Sequence, residues 1–296
     1  RRVEAGSNAN RGGKSTMTTT SAGPELLAET DVFVSGTEGY HTIRIPTIAT
    51  TADGSLVVAS EARVYSGHDP GFGDNEVHLV CSRSEDRGET WSPLQLIENP
   101  GDRWAVCNPT LLFDRETARL WLFHCRTKPG RSSATSRPGT DDAQVNVRYS
   151  EDRGETWSAP VDITGSAMDV GGWGSAFFGP GGAIQTRTGR LLGPMVRVSA
   201  DVPWNTYAIF SDDHGGSWQR GQLVPDGDWG SESQLVELSD GRILFDIRQN
   251  EGPRRWLATS DDGGETWSAP RPGEAVTPVW SEISLMSETT SSISPM

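Results

Sequence analysis

The octet SEDRGETW stands at Ser84–Trp91 and again, residue for residue, at Ser150–Trp157. Two looser copies follow, SDDHGGSW at Ser211–Trp218 and SDDGGETW at Ser260–Trp267, and the four together read S-x-D-x-G-x-[ST]-W. They begin 66, 61 and 49 residues apart, a spacing that marks a repeated structural unit. The sequence around them repeats as well. TIRIPTIAT and SLVVASEAR flank the turn signal ADG, EVHLVCSRS runs into the first octet, and WSPLQLI leaves it. NPTLLF, RLWLFHC and QVNVRYS repeat that order before the second octet. GAIQTRTGRLLGPMV and TYAIFS precede the third; SQLVEL, RILFDIR and RRWLATS precede the fourth. VTPVWSEISLM opens a fifth unit that does not close. Four-stranded antiparallel units at this period describe the blades of an all-β propeller, about four complete and part of a fifth. Within the octet, Asp accepts backbone N–H bonds across a tight turn, Gly supplies a positive φ, and Trp packs between neighbouring sheets. The octet is architecture, not a catalytic motif.

Composition narrows function by exclusion. The 296 residues include 34 Gly, 18 Pro and 11 Trp, which suits many short strands and turns. No apolar run approaches the roughly eighteen residues of a membrane span. A formal net charge of −14 argues against nucleic acid and anionic membrane surfaces as partners. An anionic ligand would then need a local cluster of arginines. Cys81, Cys107 and Cys125 are odd in number and lack C-x-x-C spacing, so neither a disulfide framework nor a Cys-rich zinc site is expected. Cys81 and Cys125 lie in strand-like runs and read as buried thiols. The five histidines show no ligand spacing, and no metal or cofactor is expected. Residues 1–30 are polar and Gly/Ser/Thr-rich, lack an apolar leader segment, and read as a disordered extension in which Met17 is a candidate start. Residues 31–290 read as the propeller and 291–296 as a polar tail.

Turn symmetry places several charged residues together. Arg44 lies nine residues before Asp53 and Arg63 ten after it, so a hairpin turning at Asp53 puts both at one rim. The loop VYSGHDPGFGDN, with Asp69 and Asp74, leaves from that rim. Glu232 and Arg248 lie eight residues either side of Asp240 and share the equivalent rim of the fourth unit. The octets fall at the opposite rim.

The octets resemble the Asp boxes of sialidases (neuraminidases), and YHTIRIP at Tyr40–Pro46, SEAR at Ser60–Arg63, NPT at Asn108–Thr110 and ESQLVELSDGRILFDIR at Glu232–Arg248 resemble, in this order around them, sialidases of bacterial exo-α type. The resemblance implies a six-bladed propeller that releases terminal sialic acid, with retention, from glycoproteins, glycolipids and oligosaccharides. It implies that Arg44 and Arg248 hold the sialic-acid carboxylate, a task suited to planar guanidinium groups. Arg63 would meet the hydroxyl side of the sugar. Asp69 would be the acid/base, with Asp74 its rival on the same loop. Glu232 would activate a Tyr nucleophile, since an anionic nucleophile is repelled by the substrate carboxylate. The pattern's third arginine and its Tyr lie beyond the fourth box. There RPGEAVTPVWSEISLMSETTSSISPM has no Tyr, and Arg271 comes too early. Tyr40, Tyr65, Tyr149 and Tyr207 do not occupy the nucleophile segment, so a shortened chain with little or no turnover is expected. A sialic-acid-binding propeller without catalysis, a trans-sialidase, and a protein-binding Asp-box scaffold are the competing readings.

Overall fold

The computed structural model describes residues 29–72, 75–250 and 252–276. Every strand lies in the unit Val32–Met296; of the other unit, Arg1–Asp31, only residues 29–31 are described. Four antiparallel meanders follow one another. The first is β1 (Thr42–Thr50), β2 (Leu56–Arg63), β3 (Val77–Ser84) and β4 (Gln95–Glu98). The second is β5 (Ala105–Asp114), β6 (Arg119–Thr127), β7 (Ala143–Ser150) and β8 (Val161–Asp162), followed by a single helical turn, α1 (Thr164–Ala167). The third comprises β9 (Ser175–Phe178), β10 (Ile184–Gln185), β11 (Leu191–Val198), β12 (Asn205–Ser211) and β13 (Gln219–Arg220). The fourth is β14 (Gly230–Glu237), β15 (Ile243–Gln249), β16 (Arg254–Ser260) and β17 (Arg271–Val276). One parallel pair, Val77 with Ala105, joins the first two meanders into a single eight-stranded sheet. The all-β class is as expected. VTPVWSEISLM after Val276, the polar tail and residues 1–28 lie outside the described residues.

The octets close the meanders as their chemistry requires. Asp86 accepts the Thr90 N–H at 2.8 Å and the Ser84 hydroxyl at 2.7 Å, while that hydroxyl oxygen accepts the Gly88 N–H at 2.7 Å. Asp152, Asp213 and Asp262 repeat the same set of bonds. The octet glycine also lies against the preceding meander. A Cβ on Gly215 would stand 2.2 Å from the Trp121 ring of β6. Apolar cores sit between successive meanders. Trp218 packs edge-on to Trp121 and Phe123 of the second, and Trp267 packs with Leu192 of the third. The three cysteines are free and buried, and burial pushes the Cys81 thiol up to about 11 and the Cys125 thiol up to about 12.

The third meander departs from the sequence reading. Its inner strand is two pieces, β9 and β10, both paired with β11. The interruption is Gly179–Pro180–Gly181–Gly182, where Pro removes a ladder donor. This stretch is where the four inner strands meet. Thr47 of β1 donates to the Gly181 carbonyl at 2.7 Å and accepts the Leu111 N–H of β5 at 3.0 Å. Thr110 donates to the Gly179 carbonyl at 3.0 Å, and Gln234 of β14 reaches the Pro180 carbonyl. A Cβ on Gly179 would stand 2.4 Å from the Ser233 carbonyl oxygen, so only glycine admits this approach. The crossing ties the first and fourth meanders to one stretch of the third.

Candidate active site

Three inner strands break their ladders at this end, and Arg44 and Glu232 sit at two of the breaks. On β1 the register shifts between Arg44 and Thr47, on β5 between Cys107 and Thr110, and on β14 between Gly230 and Ser233. Bulges of this kind re-aim side chains. Ile45 and Asn108, inside the first two, have φ of 58° and 52°. For a β-branched residue such as Ile45 that is a strained backbone, and such strain collects at functional sites. The bulge also refines the register read from turn symmetry. Arg44 stands opposite Glu61, and Arg63 opposite Thr42, so the two arginines share the rim at different levels.

Arg44, Arg63 and Asp69 converge. Asp69 Oδ1 lies 3.0 Å from Arg63 Nη1 and 3.8 Å from Arg44 Nη1. Arg44 and Asp69 are open to solvent, with side chains 49% and 67% exposed, whereas Arg63 is 1% exposed. Arg63 is anchored by Glu61, whose Oε2 accepts from Nε at 3.1 Å and Nη2 at 2.8 Å. Its Nη1 also donates to the Gly67 carbonyl at 2.7 Å. Four of the five guanidinium N–H groups are thus taken by Glu61, Gly67 and Asp69. The sequence reading sends Arg63 to a sugar hydroxyl; the structure makes it first of all the support of Asp69.

Glu61 is the residue that sequence reading missed. Its other oxygen accepts the Asn108 N–H at 2.9 Å, tying β2 to the bulge of β5. Burial pushes the Glu61 carboxyl up, against the pull of Arg63 and the Asn108 N–H. Burial opposes the charge of Arg63 too, but Glu61 and Asp69 outweigh it and hold that guanidinium above its ordinary value. The signal was present in SEAR, where alternation puts Glu61 and Arg63 on one face of β2. Asn75 was missed as well. Buried, it donates to the Ser66 and His68 carbonyls at 3.2 and 2.9 Å and accepts the Tyr65 N–H at 3.2 Å, stapling the loop that carries Asp69. Asp74 lies outside the described residues.

Glu232 and Arg248 meet as the hairpin argument required. Arg248 Nη1 pairs with Glu232 Oε2, and Glu232 keeps more than a quarter of its side chain exposed. Of the tyrosines, Tyr207 is fully buried and bonded to the Ala167 carbonyl, and Tyr149 stacks on Trp121. Tyr40 bonds His78, and Tyr65 stands exposed on the Asp69 loop. Among the described residues no group of three or more His, Cys, Asp or Glu could hold a metal ion, and no helix is long and apolar enough to cross a membrane.

The family model of the BNR repeat-like domain matches residues 54–290. The chain belongs to the BNR repeat-like domain family. Its relatives in that family bear out the resemblance read from YHTIRIP and the Asp boxes. A sialidase of Micromonospora viridifaciens is 35% identical over 83% of this chain and 39% of its own length. One of Bacteroides fragilis is 30% identical over 79% of this chain and 44% of its own length. This BNR repeat-like domain therefore spans less than half the length of those two relatives. Among solved structures, a Hadza microbial sialidase superposes with a TM-score of 0.73 at 28% identity, covering 79% of this chain and 47% of that one. The intramolecular trans-sialidase of Ruminococcus gnavus shares the fold, with a TM-score of 0.73 at 20% identity over 84% of this chain and 74% of that one.

Proposed function

We propose that this chain carries the carboxylate-binding and acid–base half of a retaining exo-α-sialidase site, on four blades of a six-bladed propeller. One observation carries the reading: Arg44, Arg63 and Asp69 meet at one end of the first meander, and the Glu232–Arg248 pair occupies the same end of the fourth. The substrate class is a glycan ending in sialic acid, whose carboxylate answers the puzzle of arginines in so acidic a chain. Arg44, the exposed one, and Arg248 take that carboxylate in charge-assisted bonds. Arg63, fixed by Glu61, aims Asp69 at the glycosidic oxygen. Asp69 protonates that oxygen as the bond to the anomeric carbon breaks, and later takes a proton from the attacking water. Glu232 is the base for a phenol that attacks the anomeric carbon. Tyr40 is bonded to His78, Tyr207 to the Ala167 carbonyl, and Tyr149 packs against Trp121, so none of these three is assigned as that phenol.

Calorimetry and turnover test the reading together. Sialic acid should bind, and Arg248→Ala should weaken it by roughly 1.5–3 kcal/mol, the usual loss for a charge-assisted bond. Undiminished affinity would remove Arg248 from the carboxylate. Release of an aryl alcohol from its sialoside, lost in Asp69→Asn, supports hydrolysis. Saturable binding without release supports the binding propeller, and the absence of both binding and release sinks the sialic-acid reading.

A further inference from the structure

Three aromatic side chains are exposed among the described residues: Tyr65 at 55%, Phe72 at 52% and Trp229 at 43%. All three lie at the arginine end, and the octet end has none. Tyr65 follows Arg63 by two residues. Phe72 closes a turn on Asp69, its N–H donating to the Asp69 carbonyl at 3.1 Å, with Pro70 and Gly71 (φ 81°) at the two inner positions. That is the sequence order of a type II turn, a rigid one. The other aromatic is fixed too: the Tyr65 N–H is held by Asn75, and the Arg103 guanidinium sits 5.9 Å over its ring. Apolar rings held in water on a stapled loop gain nothing for the fold.

We propose that Tyr65 and Phe72 form the subsite for the sugar next to the terminal sialic acid, a neutral hexopyranose whose C–H face lies on an aromatic ring. The inference rests on the sialidase reading, which makes Asp69 the donor to the departing oxygen. The group that leaves with that oxygen must lie against the element carrying Asp69. Both rings are on that element, one of them in the same four-residue turn. An aromatic face matches the C–H face of a pyranose, and a phenol hydroxyl at its edge matches the ring hydroxyls. Trp229 stands instead three residues before Glu232, on the fourth meander, and is the control.

The test is calorimetry with free sialic acid and with 3′-sialyllactose, in an Asp69→Asn background so that no turnover consumes the ligand. Sialyllactose should bind more tightly than sialic acid. The double variant Tyr65→Ala/Phe72→Ala should lose about tenfold in affinity for sialyllactose and keep its affinity for sialic acid. Both residues are exposed, so the melting temperature should hold. Trp229→Gly should leave the ratio of the two affinities unchanged. Equal losses for both ligands, or a ratio that collapses in Trp229→Gly and not in the double variant, overturns the subsite while leaving the sialic-acid reading intact. Failure of the parent to bind either ligand overturns both.

Discussion

The two ends of the meanders obey different rules. At the octet end, four turns are built alike, each from an Asp, a Ser hydroxyl and a Gly N–H within five residues of sequence. At the arginine end, corresponding breaks in the inner strands hold different residues: Ile45–Pro46 beside Arg44, Asn108–Pro109, the Gly179–Gly182 stretch, and Ser231–Glu232. One end repeats because each turn must only close itself. The other diverges, and its parts are tied across meanders by Glu61 and by the crossing at Gly179–Gly182.

The comparison predicts unequal responses to substitution. The largest belongs to Arg63→Ala, which strands the Glu61 carboxylate in a buried place. Removing one partner of such a pair costs about 3–5 kcal/mol. Denaturant unfolding should show that loss, and adding Glu61→Gln should recover part of it. A loss below about 1 kcal/mol, the scale of a surface pair, would mean that Arg63 serves ligand more than fold. Asp152→Ala, at the octet end, should cost less, about 1 kcal/mol for its lost turn bonds, with sialic-acid affinity unchanged. A fall in affinity at an unchanged melting temperature would invert the assignment of the two ends.

Acid should weaken the octet turns more gently. The Thr90 hydroxyl, and after it the Thr90 N–H, hold the Asp86 carboxyl down to about 2. Because that value is depressed, the stability it confers is complete above the unfolded value near about 4 and fades as pH falls from there toward about 2. Asp142, held down to about 2 by Arg137, adds to the same window. Melting temperature recorded between those limits should therefore decline, and the decline should shrink in Asp152→Ala, whose own octet carboxyl is also lowered. An unchanged slope in that variant would detach the octets from acid stability.

How much of this the residues announced follows the same division. The octets were legible in full, because their bonds are local and the sequence repeats. Glu232 with Arg248 was legible because a hairpin halves neatly at Asp240. Arg44 and Arg63 were placed at one rim, but their levels were not legible, since a bulge shifts a register that turn counting takes as regular. Burial of Arg63 could not be read from SEAR alone. It depends on Asn108, 47 residues from Glu61 along the chain. The split inner strand of the third meander was missed because GAIQTRTGRLLGPMV reads as one hairpin, whereas β9 lies upstream in SAFF.

On the proposed reading the arginine end, and not the octet end, receives an acidic sugar between the first and fourth meanders. A crystal structure of the chain with sialic acid bound tests it most directly. The ligand carboxylate should lie within about 3 Å of both Arg44 and Arg248, the spacing of charge-assisted hydrogen bonds, with Asp69 facing the anomeric oxygen. A sialic acid lodged among the octets, or one at the arginine end whose carboxylate touches neither guanidinium, would contradict it.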